Sequence, residues 1–131
     1  MTRRCLVHRF FRRSPWDVAN GLAGKTLKVG DKEGTITKVK PQYPADNANW
    51  TDRPLFGPHP VDAYVAPYRG AHLLFLRTGT PGTNTCVRID GIEIGEQACS
   101  TPSQVCKALG IDSERTGKVS FSQNVVRLSW S

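Results

Sequence analysis

The sequence predicts an α+β fold in a single domain. Short segments of alternating apolar and polar residues, separated by turn residues, predict strands, and two short stretches carry helix-capping signals. The length, 131 residues, suffices for one hydrophobic core. With 38% hydrophobic and 22% charged residues, the chain has the composition of a folded protein rather than a disordered one.

Ser14 to Gly24, SPWDVANGLAG, opens with a Ser N-cap and Pro at the first helical position and ends on a glycine, which predicts a short helix. Lys25 to Val29 and Gly34 to Lys40 alternate in TLKV and TITKVK around the turn sequence GDKEG, a hairpin pattern. From Pro41 to Pro67 the prolines at 41, 44, 54, 58, 60 and 67 argue against continuous regular structure, so this stretch reads as a long loop. Ala71 to Leu76 and Thr85 to Ile94 bracket the turn-rich TGTPGTN and read as core strands. Thr101 to Leu109, TPSQVCKAL, holds a complete capping box with Thr at the cap and Gln three residues on, and Gly110 can stop this helix. Lys118 to Trp130 reads as one closing strand through VVRLSW.

Eighteen Lys and Arg against eleven Asp and Glu leave a net charge of +7, which favours an anionic partner and makes nucleic acid the leading class. Arg3, Arg4, Arg9, Arg12 and Arg13 concentrate the excess in residues 1–13, read as a basic N-terminal arm ahead of a domain at 14–131. No stretch reaches the ~20 apolar residues of a membrane span, and residues 1–13 lack the apolar centre of a signal peptide, so a soluble intracellular protein with no membrane partner is expected. Cys5, Cys86, Cys99 and Cys106 form no C-x-x-C pair, which predicts reduced structural thiols, no bound metal and no cofactor.

GLAGKT at 21 to 26 departs from a phosphate-binding P-loop: Ala19 stands where that motif needs glycine, and the glycines follow a helix instead of opening one. His59 and His72 have no Ser, Cys or Asp partner in a recognisable catalytic pattern.

Several segments, in order along the chain, resemble the methylpurine (3-methyladenine) DNA glycosylase family. VANGLAGKTL at 18 to 27 is similar to that family's helix-to-strand opening, and GTITKVKPQY at 34 to 43 to its strand ending in an acidic ETEAY-like run. DRPLFGP at 52 to 58 resembles an MFGP-type segment, and Tyr64, Val65, Gly70 and His72 fall on a tyrosine-rich run. TCVRIDGIE at 85 to 93 is similar to a VLLRALEP-like strand, and ACSTPSQVCKALGID at 98 to 112, the most specific match, to a helix reading LCSGPGKLCKALGID.

The resemblance implies an α+β domain around a curved antiparallel sheet with few short helices, a basic face for duplex DNA, and extrusion of a damaged or modified base before its glycosidic bond is reached. It implies base-stacking or intercalating roles among Gln42, Tyr43, Tyr64, Tyr68, Arg69 and His72, and phosphate contacts from Lys38, Arg53, Arg88 and Lys107.

One departure dominates. Where the family carries the glutamate that activates water, this strand reads TKVKPQ, with Lys38 and Lys40 at the two acidic positions and Lys40 nearest the catalytic one. Trp50 and Leu76 stand near the family's pocket histidine and asparagine, and the segment before the second helix is much shorter. Two functions remain open. One is an enzyme of DNA repair or modification with altered chemistry, in which Lys40 acts as a nucleophile or Asp46 supplies the missing carboxylate. The other is a catalytically inactive binder of DNA, a free nucleotide or an acidic protein. A structural assembly protein would explain size and basicity but not the ordered segments.

Overall fold

The computed structural model describes residues 9–42, 62–79 and 85–130. Tyr43, Asp46, Trp50, Arg53 and His59 therefore lie outside the described residues, as do residues 1–8.

The first helix, α1 (Pro15–Leu22), starts where the sequence indicates: Asp17 N–H donates to Ser14 Oγ at 3.2 Å, Pro15 fills the first turn, and Gly24 adopts φ +90° just past the end. It buries Val18, Ala19 and Leu22. Ahead of it a 3-10 turn at Arg9–Arg12 buries Phe11, and Gly79 N–H donates to the carbonyls of Phe11 and Arg13. Phe10 stacks on Phe121 with ring centroids 4.4 Å apart. Residues 9–13, grouped by charge with an N-terminal arm, are thus packed on the domain: two phenylalanines bury apolar surface that a charge count does not register.

The predicted hairpin forms as β1 (Thr26–Val29) and β2 (Lys32–Gln42), turning through Gly30 at φ +61°. The two core strands are β4 (Ala71–Thr78) and β5 (Thr85–Ile94). The second helix, α2 (Pro102–Ala108), has Gln104 N–H donating to Thr101 Oγ1 at 3.3 Å, as in a capping box, while the Gln104 side chain reaches one residue further back, accepting from Ser100 N–H at 3.1 Å.

Three elements differ from the sequence reading. The proline-rich stretch contains β3 (Ala63–Tyr68), which pairs with β4 along its length. Pro67 is tolerated there because the pairing of β3 with the strand on its other side ends at Val65, so Pro67 sits where that side is an edge. A three-residue strand, β6 (Gln97–Cys99), folds back on β5. The closing strand is two strands, β7 (Arg115–Ser122) and β8 (Val125–Trp130), joined by a two-residue turn in which Gln123 and Asn124 both take positive φ, 52° and 65°. That is the hairpin turn usually marked by Asn-Gly, and with no glycine here the signal is weak.

The strands are ordered β2-β1-β8-β7-β3-β4-β5-β6, and β2 also pairs with β5, so the sheet closes on itself as a barrel-like ring with β6 outside it. The expected sheet was antiparallel, and one pairing departs from this: β1 runs parallel to β8. Closure leaves two apolar layers. The main core takes Leu27, Ile36, Leu74, Leu76, Val87, Ile89, Ile92, Val126 and Leu128, with α1 and α2 contributing Val18, Leu22 and Val105. A second cluster, Ala66, Leu73, Phe75 and Cys86 with Tyr64 against it, uses the alternate residues of β3, β4 and β5. This is why LLFL at 73–76 is a continuous apolar run: both faces of β4 are buried there.

Candidate nucleic-acid interface

The β2–β5 pairing brings the basic end of β2 against β5, and a cleft of about 940 Å³ opens there. Lys40 is directly opposed to Arg88 and Gln42 to Cys86, so Lys40, Gln42 and Arg88 share one face of the sheet. That register exists because the ladder is irregular between Ile36 and Val39, and its pairs skip Thr37 on β2 and Asp90 on β5. Gly91 makes the close approach feasible: a Cβ there would lie 2.6 Å from Thr37 Oγ1 and 2.8 Å from Lys38 Cβ.

The opposite wall is the β3–β4 hairpin. Its two-residue turn has Arg69 at φ +50° and Gly70 at φ +80°, which holds Tyr68 and Arg69 at the tip, beside the cleft. Tyr68 is 44% exposed, and the Arg69 guanidinium lies 5.1 Å from its ring centroid. Ala71 and Leu73 give the cleft an apolar patch, and Pro102 and Ser103 at the start of α2 complete the rim.

Arg88 is the best-anchored cation of the site. Its Nε and Nη2 donate to the two carboxylate oxygens of Asp90 at 2.6 and 2.9 Å, and Asp90 is 4% exposed. The hydrogen bond to Asp90 raises the Arg88 pKa above its ordinary value, against the opposing effect of burial. Elsewhere, burial lowers the pKa of Arg77 despite nearby Asp62, and pushes the Cys106 thiol up to about 12.

The cleft therefore gathers Lys40, Gln42, Tyr68, Arg69 and Arg88 from three separated stretches of sequence. Other candidates fall elsewhere. His72 alternates with Ala71 and Leu73 along β4 and so faces away from them. The Tyr64 hydroxyl donates to Glu114 at 2.5 Å, and its ring packs on the second apolar cluster. Lys38 sits at the ladder irregularity opposite Gly91, and Lys107 lies in the last turn of α2. Asp90 was not singled out from the sequence. Its only signal there is its place two residues after Arg88 on one strand, which puts both side chains on the same face.

Among the described residues no helix is long and apolar enough to cross a membrane, and no three His, Cys, Asp or Glu side chains cluster to hold a metal ion. No protein-family model matches the chain. Curated relatives do. The chain is 28% identical over 128 residues to a protein of Agrobacterium fabrum, 30% over 135 residues to one of Rhodopseudomonas palustris, and 32% over 129 residues to one of Nitrobacter winogradskyi. These alignments take in 82%, 86% and 81% of the chain, but 66%, 66% and 62% of the relatives, so the chain spans slightly less than two thirds of their length. Each relative carries the name "Putative 3-methyladenine DNA glycosylase".

Proposed function

We propose that this chain, similar over most of its length to proteins named putative 3-methyladenine DNA glycosylase, is a divergent relative of that family that binds duplex DNA and receives an anionic part of it in the cleft, without activating water there. The observation that carries the reading is the row of cations: Lys40 directly opposed to Arg88 across the β2–β5 ladder, with Arg69 at the rim. Three cations on one concave surface attract phosphate, and each neutralised phosphate releases counterions. Water activation needs a free carboxylate beside the sugar. Among the described residues lining the cleft none is acidic, and the nearby Asp90 carboxylate is held on both oxygens by Arg88.

Tyr68 and Arg69 at the hairpin tip supply an exposed ring and a cation next to the cleft, suited to stacking against a displaced base. Lys38 and Lys107 would extend the phosphate contacts outward.

The test is a panel of duplexes carrying varied base lesions, read for both binding and base release, with a Lys40→Glu variant in parallel. Binding that weakens steeply with salt, and base release by the variant alone, is expected. Base release by the natural protein would overturn the binding-only reading.

A second reading keeps an enzyme, and it is the cleft position of Lys40 that favours it. The neutral Lys40 amine would attack the sugar C1′, the base would leave with the glycosidic electron pair and take up the proton lost from Nζ, and the C1′–O4′ bond would then open to give a Schiff base. Borohydride would then trap the protein on DNA. A lesion panel that yields no Lys40-dependent adduct eliminates this chemistry.

A further inference from the structure

We infer that Asp90 is a positioning residue: it holds the Arg88 guanidinium edge-on so that the remaining N–H groups of Arg88 meet one phosphate of DNA in the cleft. The inference rests on the DNA-binding reading above and adds a residue to it. Four observations converge. The two carboxylate oxygens engage Nε and Nη2 in a bidentate fork at 2.6 and 2.9 Å, which leaves Nη1 and its two hydrogens outside the pair. The Arg88 side chain is 20% exposed and lines the cleft, whereas that of Asp90 is 6% exposed, so the pair is buried on its acidic side and open on its basic side.

Third, the β2–β5 ladder skips Asp90 and Thr37, an irregularity of the kind that re-aims a side chain out of the regular pleat. Fourth, Arg88 is flanked by directly opposed Phe75 on β4 and Lys40 on β2, so its reach is confined from both neighbouring strands. An arginine free to rotate would lose rotamer entropy on each binding event. One clamped by a buried carboxylate has already lost it, and its planar fork is set for a phosphate.

Charge counting and positioning predict opposite signs for Asp90→Asn. Removing a negative charge next to a DNA site should tighten binding if Asp90 acts only through its charge. If Asp90 orients Arg88, binding weakens although the protein has become more basic. The experiment measures fluorescence anisotropy of a short fluorescein-labelled duplex between about 50 and 200 mM salt, with folding of each variant checked by thermal melting.

Asp90→Asn is expected to weaken binding about three- to tenfold, the loss of roughly one well-made charge-assisted hydrogen bond, and to lower the salt slope toward that of Arg88→Gln. In the Arg88→Gln background the same change is expected to do nothing further. Tighter or equal binding by Asp90→Asn, with Arg88→Gln weakened, overturns the positioning role and leaves the DNA-binding reading standing. Unchanged binding by both Arg88→Gln and Lys40→Ala overturns that reading and this inference with it. Should Asp90→Asn fail to fold, Arg88→Lys takes its place. It keeps the charge but cannot face Asp90 and a phosphate at once, so an equal loss of affinity supports the role and full affinity overturns it.

Discussion

Lys40→Glu puts the cleft electrostatics to a quantitative test. Lys40 and Arg88 are directly opposed on neighbouring strands, where Cβ atoms lie about 5 Å apart and the charged ends of long side chains about 6 Å. Two like charges at that separation repel by roughly 0.7 kcal/mol in a water-like dielectric and about 3 kcal/mol at an effective dielectric of 20. Lys40 is exposed and Arg88 is already paired with Asp90, so the screened end of this range applies. Reversing the sign of residue 40 converts the repulsion from Arg88 into attraction, and the Asp90 carboxylate bonded to Arg88 offsets part of it, which leaves a net gain of about 0.5 kcal/mol. For a chain of this length that is a rise in melting temperature of about 2 °C.

DNA binding should move the other way. Losing one phosphate contact lowers the salt slope by about 0.9, and the added carboxylate repels the backbone further. Thermal melting and anisotropy on the same preparation therefore give opposite signs. A variant that melts lower refutes the opposed-cation geometry. One that binds DNA with unchanged affinity and slope refutes the place of Lys40 at the interface.

Tyr68→Ala is expected to weaken DNA binding about tenfold, within the ~1–3 kcal/mol of one base-stacking contact, while leaving stability within about 0.5 kcal/mol because the ring is exposed; anisotropy and urea unfolding read the two effects separately. Gly91→Ala forces a methyl to within 2.8 Å of Lys38 Cβ and should cost about 1–3 kcal/mol in urea unfolding, with DNA affinity falling as the β2–β5 register is disturbed. For Cys106, the folded pKa of about 12 lies above the ordinary 9.0, so the folded protein holds this proton where the unfolded chain releases it. Its contribution to stability is complete below pH 9.0 and is lost as pH rises toward 12, since the unfolded state then binds fewer protons. Urea midpoints measured at increasing alkaline pH should fall more steeply for the natural protein than for Cys106→Ala, and parallel profiles would remove Cys106 from that dependence.

Much of the local structure was legible in the sequence because it is held by short-range chemistry. The capping box at Thr101 and Gln104, the Ser14–Pro15 helix start and the first hairpin all depend on residues within a few positions of one another. The elements missed had local signals that pointed elsewhere. Pro67 argued against a strand, and only the end of the β3–β7 pairing at Val65 shows why it is tolerated. Gln123-Asn124 lacks the glycine that announces a tight hairpin.

The candidate site divides along the same line. Lys40, Gln42, Tyr68, Arg69 and Arg88 could each be nominated from position in a resembling segment, because residue type and order are properties of the chain alone. That these five meet in one cleft, while His72 faces away and the Tyr64 hydroxyl is taken by Glu114, follows from strand register and pleat. The Asp90 clamp on Arg88 lay beyond sequence reasoning, since a carboxylate two residues from an arginine is commonplace and its burial is set by closure of the β2–β5 ladder. Basicity, the helix caps and the lysines at positions 38 and 40 were determined by the sequence itself. Which cations face one another, and which acid is already spoken for, was decided only when distant strands paired, because charge interactions depend on separation in space rather than along the chain.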